Sequence, residues 1–228
     1  SLPQLLPPSM PGDRRVDIGN QIDGPVQGFG SRFWNLVLSG ESLAAELLKN
    51  RNERIVGISY SDRYLSNPIS VALLTQIIEG LKAFVGPRWQ TETAKISLLK
   101  KSDAYSYYQG PNRIWHDWQN SNIRTDVIKT VFRSAGLQME VSVFDHRADI
   151  EHGRPLRIRL SSGRTVEVRF DQGMGHWSTP HSTNFQLKRF DFDLTASEQA
   201  NRLRALTSSV EGQQVDTQVF LSVRGKVG

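Results

Sequence analysis

No cysteine occurs among the 228 residues. Disulfides, thiolate nucleophiles and cysteine-ligated zinc are therefore excluded, and the composition suits a reducing cytoplasm. Long apolar runs are also missing. The longest uncharged stretch, Tyr64 to Ile78, is broken by Ser, Asn, Pro, Thr and Gln, which is too short and too polar for the roughly 20 apolar residues of a membrane span. Asp13, Arg14 and Arg15 arrive before any apolar core, so no secretory leader is visible. The first Ser is read as the scar of a fragment excised from a larger protein. No G-x-S-x-G elbow and no Walker A loop is present, which argues against Ser-His-Asp hydrolysis and ATP hydrolysis. Histidines number 5. Neither His146 with His152 nor His176 with His181 has helical spacing or an evident carboxylate partner, so no metal site and no cofactor is expected.

Charge of one sign is in small excess. Lys+Arg is 28 against Asp+Glu 23, a formal +5, and the isoelectric point is about 9.6. This permits nucleic acid or an anionic membrane as partner without demanding either. The apolar share of 38% and the 18 glycines describe a globular chain with a sizeable core.

Residues 1–28 are rich in Pro and Gly, lack periodicity and read as a linker or extended arm; residues 29–228 read as a single domain. Phe29, Phe33, Trp34, Leu36 and Val37 predict a short helix that Gly40 breaks, and Leu43, Ala44, Leu47 and Leu48 a second. Ile55–Tyr60 reads as a buried strand of parallel type. Asn67-Pro68 is a helix start, Asn at the cap and Pro at the first helical position, followed by Ile69, Ala72, Leu73, Ile77, Leu81 and Phe84 at helical spacing. Strands are expected at Ala94–Leu99 and Met139–Phe144, with a helix between them that carries Val127, Ile128, Val131 and Phe132 and closes at Gly136. Leu156–Leu160 and Thr165–Phe170 alternate with period two around Ser161-Ser162-Gly163-Arg164, a β-hairpin. A last helix over Ser197–Leu206 and a closing strand over Gln218–Val223 complete an α/β chain: a mixed sheet with crossover helices and a C-terminal antiparallel hairpin.

Two polar segments follow parallel strands, where open α/β sheets gather ligands. Ser61-Asp62-Arg63-Tyr64 precedes the Asn67-capped helix, so Arg63 beside free N–H groups would form an anion site; a local Asp62–Arg63 ion pair accounts for it equally well. Asp145-His146-Arg147 leads to His152-Gly153-Arg154. The hairpin then sets Leu156, Ile158, Leu160, Val166, Val168 and Phe170 on a buried face. Arg157, Arg159, Glu167 and Arg169 lie on the other. Arg154, Arg157, Arg159, Arg164 and Arg169 meet a single acid, Glu167. Arg157 or Arg159 can pair with it across the hairpin, a contact worth little at a surface, and most of the arginines are still expected to remain unpaired and to face phosphate. Tyr105, Tyr107, Tyr108, Trp115 and Trp118, with Arg113 and His116, form an aromatic loop able to stack bases or seat in a lipid interface, though packing down on the sheet is the more ordinary use. Gln172-Gly173-Met174-Gly175-His176-Trp177 reads as a tight turn and not a dinucleotide fingerprint, since no helix pattern follows.

His152-Gly153-Arg154-Pro155-Leu156-Arg157-Ile158, then Gly163, Val166, Val168, Gly173 and Trp177, resemble the phospholipase D-like domain at the carboxy-terminal end of the MIT-domain protein of cytokinesis. Asp62-Arg63-Tyr64-Leu65 and Phe192-Asp193-Leu194 add to the likeness, as scattered matches from about Phe29 to Val223. The resemblance implies a phospholipase D-like fold, with bacterial relatives that are accessory domains of large helicase or defence-associated proteins. Active members use two H-x-K-x4-D motifs, one His attacking a phosphodiester and the other protonating the leaving group. Only His152-x-Arg154 is present here, and Arg159 stands where the Asp belongs. The resemblance therefore implies a non-catalytic relative keeping an anion-binding surface: Arg63, His152, Arg154, Arg157, Arg159 and Arg169. Nucleic acid and other domains of a larger parent are the expected partners. The alternatives are an anionic-lipid membrane module and a degenerate phosphodiesterase centred on His152.

Overall fold

The computed structural model describes residues 13–100, 117–174, 190–212 and 216–225. In chain order the elements are β1 (Arg14–Ile18), β2 (Gly24–Pro25), α1 (Phe29–Val37), α2 (Leu43–Lys49), β3 (Ile55–Asp62), α3 (Pro68–Val85), β4 (Thr93–Leu99), α4 (Ser121–Ser134), β5 (Gln138–Phe144), β6 (Pro155–Leu160), β7 (Thr165–Phe170), α5 (Ala196–Ser209), β8 (Glu211–Gly212) and β9 (Thr217–Arg224). A seven-stranded mixed sheet runs in the order β1-β9-β7-β6-β3-β4-β5, and β2 pairs with β8 in a separate two-stranded ribbon. Strands β3, β4 and β5 are mutually parallel. Strands β6, β7, β9 and β1 extend the sheet antiparallel from β3.

The α/β class, the crossover helices and the hairpin follow the sequence pattern. Asn67 caps α3 by accepting from the Ser70 amide, with Pro68 in the first turn. Gly136 turns the chain out of α4 at φ +74°, a conformation that costs glycine nothing. The hairpin pairs Arg157 with Glu167 and Ile158 with Val166.

The N-terminal segment departs from the linker or arm expected over 1–28. Arg14–Ile18 forms an edge strand paired along its length with β9, and Val16 and Ile18 turn inward and are buried. The signal was a single alternating pair, too short to stand out beside the Pro and Gly around it. Helix α3 also departs from expectation. By length and composition it is apolar enough to cross a membrane, yet its apolar side chains are mostly buried in the protein core.

The helices lie on one side of the sheet. Both parallel crossovers advance in one direction, which puts α3 and α4 on the same face. Helix α1 packs on α3, α5 on α4 and α3, and α2 against β7 and β9. The core between them holds the inward rows of every strand of the large sheet, including Val168, Leu221, Ile58, Ile96 and Met139, under Phe33, Trp34 and Phe132. Phe33 stacks on Phe170, centroids 5.7 Å apart, and the Trp34 indole donates to the Ile77 carbonyl at 2.7 Å. Among the described residues, the opposite face carries no helix.

Candidate functional site

The helix-free face is built from the outward residues of seven strands, and cross-strand pairing fixes their rows. One row joins Arg15 of β1, Phe220 of β9, Arg169 of β7 and Pro155 of β6. The next joins Ser222, Glu167, Arg157 and Ser59. A third joins Arg224, Thr165, Arg159 and Gly57. Beyond β3 the face is lined by Lys95, Ser97, Glu140 and Ser142. Arginines thus crowd its antiparallel half, while Gly57 and serines keep the centre low.

The expected free row is only partly free. Glu167, predicted on the outer surface, has a side chain 4% exposed and bonds two arginines, Arg157 at 3.0 Å and Arg224 at 3.2 Å. Arg157 also meets Glu151 at 2.7 Å. Its burial works against the charge, but the Glu151 and Glu167 carboxylates outweigh it and raise its pKa. Arg164 is absorbed by Glu53 at 2.9 Å. A strand pattern shows which face an arginine occupies but not which acid from another segment reaches it; Glu53 and Glu151 lie outside the hairpin.

Arg159 and Arg169 remain without a carboxylate partner among the described residues. Arg159 is exposed, folds across Gly57 and donates weakly to the Val56 carbonyl at 3.4 Å. Arg169 is exposed and lies 5.1 Å over the Phe220 ring, its stem passing 3.0 Å from where a side chain on Gly153 would begin.

The carboxyl end of β3 is organised differently from the expected anion site. Arg63 does not turn to the start of α3. It donates to the carbonyls of Ile150 and Arg147, both at 2.6 Å, and so ties the loop after β5 to β3. Asp62 does not pair with Arg63 either. It is buried and accepts from the Tyr60 hydroxyl at 2.8 Å and the Tyr64 amide at 2.7 Å. Burial raises its pKa, opposed by those hydrogen bonds and by Arg154. Arg154 holds a left-handed backbone at φ +47°, unusual for a side-chain-bearing residue. It donates to the Asp171 carbonyl at 2.7 Å and lies 5.6 Å from the Tyr64 ring centroid. Nearby, Arg124 is buried, donates to the carbonyls of Leu65 and Leu99, and has its pKa lowered to about 10 by burial. Sequence reasoning missed Arg124, because an arginine in a helix reads as exposed by default.

His152 is exposed in the turn before β6. Of the aromatic loop, Trp118 is described: it is buried and donates to Gln199 at 2.7 Å, which is the packing role. Tyr105, Tyr107, Tyr108, Arg113, Trp115, His116, His176, Trp177 and His181 lie outside the described residues. No cluster of three or more metal-ligating side chains occurs among the described residues.

Residues 12–223, nearly the whole chain, match a family described as the DEAD/DEAH box helicase YjiV, C-terminal domain. The chain belongs to that family. No curated protein matches it. The YjiV C-terminal match begins just before β1 and ends within β9, so the family unit includes the edge strand that the sequence pattern left in a linker. Membership of this YjiV family bears out the helicase-associated part of the resemblance and fits an accessory domain within a larger helicase protein.

Proposed function

We propose that this domain is a non-catalytic, phospholipase D-like accessory module that binds nucleic acid within a larger helicase protein. The carrying observation is the helix-free sheet face, where Arg159 and Arg169 project without carboxylate partners among the described residues, beside the Arg157–Glu167–Arg224 network. A guanidinium free of an acid can take a phosphate oxygen at no loss of an existing ion pair. The helicase family supports the same ligand class, since helicases work on nucleic acid. The non-catalytic reading is supported by His152 standing in an exposed turn with Arg159, not an acid, at the position where the phospholipase D motif places Asp. Phosphodiester turnover there calls for a nucleophile and a separate proton donor.

The test is a titration of the 228-residue chain with labelled single- and double-stranded DNA at several salt concentrations. Affinity should fall steeply with salt, and the combined Arg159→Ala and Arg169→Ala variant should lower the log–log salt slope by about two, one per phosphate contact. Absence of binding at low salt would refute the reading. Sedimentation with anionic vesicles under those conditions would point to lipid instead.

A further inference from the structure

The row Arg15–Phe220–Arg169 carries more than charge. Cross-strand pairing sets Phe220 on β9 directly between Arg15 on β1 and Arg169 on β7. The ring is half-buried and lines an open groove of about 450 Å³ together with Arg15, Arg169 and Arg224. Two acids border the groove, Asp13 and Glu167. Glu167 is already shared between Arg157 and Arg224. Among the described residues Arg15 is held by Asp17 alone, in a pair whose side chains are 55% and 72% exposed; such a contact is worth little and exchanges readily for phosphate.

We infer that this groove seats a base of a single-stranded nucleic acid on Phe220, with Arg15 and Arg169 taking the flanking phosphates. The inference rests on the nucleic-acid reading above and names its ligand form and site. An aromatic ring on a sheet surface stacks any base; the Arg169 guanidinium, which lies over the Phe220 ring in the free protein, moves off it to the phosphate as the base takes its place. A single strand can lay an unstacked base into a groove at sheet level. In a duplex both faces of each base are already covered, and reading its major groove takes a projecting helix or two-stranded ribbon. Among the described residues this face presents neither. Ser59, Ser97 and Ser142 keep the strands beyond this groove low, so a flexible strand can lie across them.

The experiment measures binding of the 228-residue chain to a fluorescein-labelled oligothymidylate and to the same strand annealed to its complement. Single strand should bind more tightly than duplex. Phe220→Leu should weaken single-strand binding about tenfold, the loss of one stacked base, whereas Phe220→Tyr, which keeps the ring, should bind like the parent. Photocrosslinking of a bromodeoxyuridine strand to the unmodified protein should label β9, a readout that needs no variant to fold. Duplex bound as tightly as single strand, Phe220→Leu binding like the parent, or crosslinks confined to other segments would overturn the inference while leaving nucleic-acid binding standing. Neither oligonucleotide binding at low salt would remove the underlying reading as well.

Discussion

Glu53 shows how one side chain can hold a remote turn. It is buried and receives the Ser162 amide, the Ser161 hydroxyl and the Arg164 guanidinium, so the tip of the β6–β7 hairpin is clamped to the start of β3. Burial alone would raise its pKa, but the bonds from Ser162 and Arg164 outweigh it and hold the carboxyl below its ordinary value. A folded-state pKa below the unfolded one contributes stability that is present above the unfolded value and lost as pH falls through the folded one. Glu53→Gln should therefore cost about 1–3 kcal/mol at neutral pH. That gap should narrow as pH falls below the ordinary carboxylate value and close once it passes the lower folded one, where the parent's own carboxylate takes up its proton. Denaturant titrations at several pH values check both parts. Arg124 is the stronger structural charge. Arg124→Leu would leave the Leu65 and Leu99 carbonyls without their donor, with an expected loss of about 2–4 kcal/mol in thermal or denaturant unfolding. At this scale the sequence exposed residue types but not partners. Arg63 and Arg157 were read as arginines left free for an anion, whereas both are engaged within the protein. Glu167 lies across the hairpin from Arg157 and was legible from the alternation, but Glu151 and the Ile150 and Arg147 carbonyls were not, because those contacts are set by loop paths.

The close crossing of α1 and α3 depends on two glycines. A β-carbon on Gly30 would collide with the Gln76 carbonyl, and one on Gly80 would fall 2.7 Å from the Gly30 backbone. Gly30→Ala must push the helices apart and break the Phe33 and Trp34 packing above them. A loss of at least about 3 kcal/mol is expected, at the upper end of overpacking costs, measured as a lower midpoint with little change in m-value. An Ala at Gly163, whose side chain would meet open space but whose φ is +85°, should cost only the backbone strain, about 1 kcal/mol. Elements with long, regular patterns were legible: α3 from its Asn-Pro start, the hairpin from its alternation, α4 from its apolar face. Strand β1 was not, since five residues with two inward side chains carry too little pattern, and its pairing with β9 joins opposite ends of the chain.

For the molecule as a whole, the cations on the helix-free face are chiefly arginines, which stay protonated across the physiological range. Nucleic-acid affinity should accordingly be flat between about pH 6 and pH 8. A fall over that interval, measured in the same titration, would speak against a surface that binds through arginines. The mixed sheet with its crossovers and hairpin, the inward rows of the strands and the arginine content of β6 and β7 were determined by the sequence alone, because periodicity and local turn chemistry act over neighbouring residues. Tertiary structure alone decided that the helices gather on one side, that Glu53, Glu151 and Glu167 neutralise Arg164, Arg157 and Arg224, and that Phe220 comes to rest between Arg15 and Arg169. Each of those depends on which distant segments become neighbours, and that is settled only when the strands take their order and register in the sheet.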